Sequence, residues 1–185
     1  MKNRKSIRLS GYDYSQDGWY FVTVCSYDRG YIFGKIQNEK MVLNDVGKIV
    51  LNSLNKLSKR FDINIDCFVI MPNHVHMVIN SVGVSFMKPE FMKFNLNPKR
   101  FEIAKSYRHM GLMNQTPTLG HIIRYFKGKI SYELHTNGFN MKIWQRNYYE
   151  HIIRNERELE KIREYIDLNP ARWKKDKDNP DNIKI

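Results

Sequence analysis

Cysteine is nearly missing from the sequence. The 185 residues include two, Cys25 and Cys67, far apart and outside any CxxC pair. No disulfide framework is expected, and a reducing cytoplasm is the expected compartment. No apolar run approaches the ~20 residues of a membrane helix. The opening MKNRKSIRLS lacks the apolar centre of a signal peptide, so no membrane partner is expected. No internal repeat stands out. Acidic residues are also in short supply: 19 Asp and Glu against 31 Lys and Arg leave a net charge of +12. The basic residues are spread over the whole chain, and 13% of residues are aromatic, with 11 tyrosines. Cations counter phosphates and rings stack on unpaired bases, which points to single-stranded nucleic acid as partner. The same surplus also fits a merely soluble basic surface.

A hydrophobic content of 42% argues against wholesale disorder, and the length suits one domain covering 1–185. WYFVTVC, 19–25, alternates and reads as a first strand, with YIFGKI, 31–36, as a short partner. Asn44 is placed to cap a helix whose stripe is Val46, Val50, Leu54 and Leu57. INIDCFVIM and HVHMVIN, separated by Pro72 and Asn73, predict an antiparallel hairpin. From about 81 to 116 the period dissolves, as in an inserted mobile loop. Thr118 then caps a helix with Leu119, Ile122, Phe126, Ile130 and Leu134 on its buried stripe. KIWQRNYYEHII, 142–153, reads as another strand, and Asn155 caps a last helix stopping at Pro170. The tail from about 174, KKDKDNPDNIKI, reads as polar and loose. This order gives an α+β sandwich: an antiparallel sheet with helices packed against one face.

FVIMPNHVHMVIN, 68–80, puts two histidines one residue apart inside an apolar run. Strand side chains alternate, so His74 and His76 share one face while Val75 and Met77 take the other. Two neutral imidazoles a few Å apart form half a divalent-metal site, and they equally fit two ordinary histidines at a sheet edge. On the last helix Tyr165 and Asn169 are four residues apart and share a face, with Ile162 and Ile166 anchoring it. A tyrosine there also fits a packing residue with a wet hydroxyl, and an asparagine before proline fits a helix end.

The blocks GYDYSQDGWYFVTVC, MPNHVH, TLGHIIRYFKGK, WQRNYYEHIIRNE and YIDLNP, in that order, resemble the REP-associated tyrosine transposases. These belong with the single-tyrosine insertion-sequence transposases in the HUH endonuclease superfamily, named for His-hydrophobe-His. The resemblance spans nearly the whole chain except 81–116 and the tail. It implies a ferredoxin/RRM-like HUH nuclease fold, His74 and His76 as metal ligands, and Tyr165 as nucleophile. It also implies Asn169 as the remaining ligand, where many insertion-sequence relatives carry Gln. Trp144, Gln145 and Arg146 match the family without a role beyond packing or DNA contact. The implied activity is metal-dependent cleavage and rejoining of single-stranded or hairpin DNA through a 5′-phosphotyrosine, by a monomer or a homodimer. Mg²⁺ and Mn²⁺ both suit the site: two histidines favour Mn²⁺ and cellular abundance favours Mg²⁺. Two other readings stay open on the residues alone, a phosphodiesterase that activates water and a non-catalytic basic DNA-binding module.

Overall fold

A computed structural model describes residues 12, 18–61, 63–81 and 118–182. The expected insertion at 81–116 lies, beyond Ser81, outside the described residues. Strand β1 (Gly18–Cys25) leads through a hairpin, β2 (Gly34–Gln37) and β3 (Lys40–Leu43), to helix α1 (Asp45–Phe61). Then follow β4 (Asn64–Ile70), β5 (His74–Ser81), α2 (Leu119–Thr136), β6 (Tyr149–Ile153) and α3 (Glu156–Arg172). The main sheet is antiparallel in the order β4-β5-β1-β6. With the β2–β3 hairpin set aside, this is the β-α-β-β-α-β order of a ferredoxin-like sandwich.

The caps form where the side chains predict them. Asn44 Oδ1 accepts from the Gly47 amide at 2.9 Å, Thr118 Oγ1 from His121 at 3.3 Å, and Asn155 Oδ1 from Glu158 at 2.9 Å. The stripes of α1 and α2 pack on one face of the sheet, against Tyr20, Val22, Val24, Val75, Met77 and Ile79. That face accounts for most of the core, at roughly 1.5–3 kcal/mol for each large apolar side chain fully buried. The opposite face is covered too. Leu159 and Ile166 of α3 cluster there with Val78 and Ile153, flanked by Phe21, Cys67, Val69, Ile162 and Tyr165. Helices therefore cover both faces, not one. His74 and His76 lie on the α3 side, since they alternate with Val75 and Met77.

Four local expectations change. The 31–36 segment does not extend the main sheet: β2 pairs with β3, joined through Asn38 and Glu39, both at positive φ (47° and 61°), as a tight hairpin turn requires. Of 142–153, only Tyr149–Ile153 is strand. Trp144 makes an isolated bridge to Ser26, and the chain then turns at Asn147, φ 67°. Lys127 Nζ fixes that turn, donating to the carbonyls of Gln145 (2.6 Å) and Asn147 (2.8 Å). Helix α3 runs past Pro170 to Arg172, because a proline in the final turn disturbs few remaining helical bonds. The polar tail, as far as it is described, is not loose. Residues 173–182 fold back in two short 3-10 turns, burying Asp176, Asp178 and Asn179.

Candidate metal and tyrosine site

The hairpin turn sets the first histidine. The Met71 amide donates to the His74 carbonyl at 2.8 Å, closing the turn at Pro72 and Asn73. Asn73 is buried, and its Nδ2 donates to two carbonyls, Arg29 (3.2 Å) and Asp178 (2.8 Å). Its Oδ1 is thus left to accept, and His74 Nδ1 lies 2.8 Å away. Nδ1 therefore carries the proton, and the bare lone pair is on Nε2. His76 stands across β1 from Thr23, with Thr23 Oγ1 2.8 Å from its Nδ1. Each imidazole is oriented by a hydrogen bond at its δ nitrogen, as metal-binding histidines commonly are; the Asn73 acceptor also fixes the His74 tautomer, whereas the Thr23 hydroxyl can donate or accept.

Helix α3 brings up the remaining groups. Ile162, Tyr165, Ile166 and Asn169 follow the i, i+3, i+4, i+7 pattern of one face. Tyr165 Oη lies 3.2 Å from His76 Nε2, and its ring meets Phe21 edge-on with centroids 6.0 Å apart. Asn169 is buried and donates through Nδ2 to Asp176 Oδ2 at 3.0 Å. The four residues expected from the sequence are together: His74 and His76 on β5, Tyr165 and Asn169 on α3.

Arg163, two residues before Tyr165, anchors this helix to the sheet. A register shift between Ile65 and Cys67 makes Asp66 the extra residue of a bulge in β4, a device that re-aims side chains. Asp66 takes a two-pronged ion pair from Arg163, Oδ2 to Nε at 2.8 Å and Oδ1 to Nη2 at 2.7 Å.

Sequence reasoning missed Asp176. Its carboxylate lies with the two histidines so that one ligand atom from each falls within 4.8 Å of the others, all three residues being buried. The fold-back that places it is held by side chains. Asp178 pairs with Arg29 at 3.0 Å, Tyr31 donates to Asn179 at 2.7 Å, and the Asp178 amide donates to Asp176 Oδ1 at 2.7 Å. Bonds of this kind carry no hydrophobic period, so nothing in the tail marked it as ordered. Asn73 and Thr23 were also missed as orienting groups. Only Thr23 had a signal, since it shares its strand face with Trp19 and Phe21.

Burial dominates the electrostatics. It lowers His74 to about 4, against the opposing pull of Asp178 and Asp176. Burial also pushes His76 well below the ordinary imidazole range, with His74 as the next cause. Both rings are neutral at pH 7, with lone pairs available. The Tyr165 phenol is raised to about 12 by burial first and then by the Asp176 carboxylate.

These residues fit a divalent cation. His74 Nε2 and Asn169 Oδ1 are buried acceptors with no hydrogen-bond partner. Such an orphan costs about 1–3 kcal/mol, and coordination would satisfy both. Two imidazoles, a carboxylate and an amide oxygen form a mixed N/O set of the kind that holds a divalent metal.

The chain combines a ferredoxin-like sheet with paired histidines on one strand and a helix-borne tyrosine beside them. Among solved structures, a REP-associated tyrosine transposase bound to a REP hairpin superposes with a TM-score of 0.50 over 94% of this chain and 74% of its own, at 17% identity. The chain thus has the tyrosine transposase fold. No protein-family model matches it. An uncharacterized protein of Haemophilus influenzae is 37% identical over 175 residues, covering 94% of this chain and 92% of its own length. The chain belongs to that protein's family.

Proposed function

We propose that the chain is a metal-dependent transposase-type nuclease and strand transferase acting on single-stranded, hairpin-forming DNA through Tyr165. The observation that carries this reading is the pairing of two orphaned ligand atoms, His74 Nε2 and Asn169 Oδ1, with a tyrosine hydroxyl 3.2 Å from His76 Nε2. A divalent cation held by His74, His76, Asp176 and Asn169 would polarise the oxygens of the scissile phosphate. Tyr165 supplies the nucleophile. Its oxygen bonds to phosphorus, the phosphorus–O3′ bond breaks, and the phenol's proton is lost while the departing 3′-oxygen gains one. The product is a 5′-phosphotyrosine and a free 3′-hydroxyl, and a second 3′-hydroxyl reverses the step to join strands. Helix α3 keeps the tyrosine and a ligand in fixed relation, which favours in-line attack. The +12 charge supports phosphate binding, and the hairpin bound to the solved structure that shares the fold supports hairpin DNA as the substrate.

His76→Ala tests the reading in paired cleavage and gel-shift assays on a hairpin with a single-stranded flank. Cleavage with Mg²⁺ or Mn²⁺ disappears while most binding survives, and blunt duplex is not cut by the wild type. Full cleavage by the variant refutes the metal site, and equal cleavage of duplex refutes the single-strand preference.

A further inference from the structure

We propose that the strip of sheet on the β6 side of Tyr165 is a stacking platform, where Tyr149 takes the unpaired base next to the phosphate that Tyr165 attacks. Register places it. Tyr149 pairs with Thr23 across β6 and β1, and Thr23 pairs with His76 across β1 and β5. Directly paired residues share a face, so Tyr149 stands on the face of His74 and His76. With strands ~4.8 Å apart, it lies about 10 Å from His76 along that row. Phe21 of β1 is its diagonal neighbour and carries the aromatic surface back to the site. The Phe21 ring centroid is 5.1 Å from that of His76 and 6.0 Å from that of Tyr165.

Helix α3 leaves this strip open. Arg163 draws one side of the helix to Asp66 on β4, the opposite edge of the sheet. The other side meets β6 through Glu158, whose Oε1 lies 2.7 Å from His151 Nε2. His151 is two residues beyond Tyr149 on the same face, so helix and strand touch past the tyrosine and not over it. Tyr149 is 50% exposed. The helix flank on the Glu158 side is basic further along: Lys161, Tyr165, Leu168 and Arg172 form one i, i+4, i+7, i+11 stripe, with Lys161 and Arg172 exposed. Arg172 stands 4.0 Å from Glu164, too far for a hydrogen bond. Cations on both sides of the nucleophile and an open ring beside it match how proteins hold single strands, with the backbone on charges and bases on rings. Four-stranded sheets with aromatics on an open face hold unpaired bases in this way. A second copy paired along the β6 edge would also cover Tyr149. It would set Arg146 and Arg154, exposed at either end of β6, against each other, whereas a DNA strand neutralises them.

This inference rests on the single-strand reading of the active site, and its test avoids the chemistry. In EDTA, a hairpin oligonucleotide carrying 2-aminopurine at successive positions of its single-stranded flank is titrated with the full chain. The position next to the cleavage point should lose fluorescence as the base stacks. Tyr149→Ala should abolish that quenching and weaken binding about five-fold or more, whereas Tyr149→Phe keeps the ring and should retain both. Tyr132→Ala removes a tyrosine that is 65% exposed on α2, over the other face of the sheet, and should change neither. The platform fails if the wild type quenches no position, if Tyr149→Ala binds and quenches as the wild type does, or if Tyr149→Phe loses the signal. In each of these cases covalent labelling of Tyr165 still decides the tyrosine reading by itself. If no single strand binds at all, the two fail together.

Discussion

The Asp66–Arg163 pair gives a quantitative test of how α3 is held. Both oxygens of Asp66 are engaged, at 2.7 and 2.8 Å, and the side chains are 16% and 34% exposed. Charged hydrogen bonds contribute about 1.5–3 kcal/mol when well made, and exposed ion pairs about 0–1. Partial exposure places this pair between the two, at about 1–2 kcal/mol. Arg163 also contacts Glu156 and Glu160 and stands 5.9 Å from the Trp19 ring, so losing Asp66 costs it only part of its partners. Asp66→Asn, Arg163→Gln and the double variant, compared by urea unfolding, should give a coupling energy of about 1–2 kcal/mol. The matching melting shift is about 2–8 °C for a chain of this size. Because the pair sits two residues from Tyr165, Arg163→Gln should also slow strand cleavage about ten-fold while DNA affinity is kept. A coupling energy under about 0.5 kcal/mol, with cleavage unchanged, would show that α3 is positioned by its apolar face alone.

Two further outcomes follow from the buried centre. His74 sits at about 4 in the folded protein against 6.5 for a free imidazole, so below 6.5 the unfolded chain takes up a proton that the folded chain refuses. The His74 share of metal-free stability is thus present above pH 6.5 and is lost as pH falls towards 4, by about 1.5–2 kcal/mol between 6.5 and 5, and His76, which burial also depresses, adds its own loss over the same range. His74→Asn should make that part of the profile shallower in urea melts with EDTA, His76 keeping its own share, and an identical slope in both proteins would refute the assignment. Asp176→Asn keeps the shape and removes the charge, so calorimetric Mn²⁺ affinity should fall at least ten-fold; an unchanged affinity would take Asp176 out of the ligand set.

What the sequence disclosed depended on periodicity. His74 and His76 stood out because a period of two put them on one face of an apolar strand. Tyr165 and Asn169 share a helical face beside Ile162 and Ile166, but that spacing fits a packing residue and a helix end as well; it was the resemblance to tyrosine transposases that singled them out. The two-sided burial was also written there: β5 carries Val78 on the face opposite Val75, Met77 and Ile79, and β4 carries Cys67 and Val69 towards α3. A strand apolar on both sides lies between two layers, and that signal outweighs the short stripe of α3. Asp176 was illegible for a different reason. Its place is fixed by Asn73, Arg29 and Tyr31 holding Asp178 and Asn179, long-range polar bonds between residues that look like a solvated tail. The break in 142–153 was hidden likewise, since Lys127 imposes it from another helix.

The central claim is that Tyr165 becomes covalently joined to DNA. Incubating the protein and Mg²⁺ or Mn²⁺ with a hairpin oligonucleotide labelled on the 3′ side of the cleavage point should carry the label onto protein in a denaturing gel. Tyr165→Phe removes one oxygen, folds and binds DNA as the wild type does, and should give no labelled protein. Labelling that persists in the Phe variant would assign the attack to another residue, and a wild type that cuts DNA without ever becoming labelled would contradict the phosphotyrosine mechanism itself.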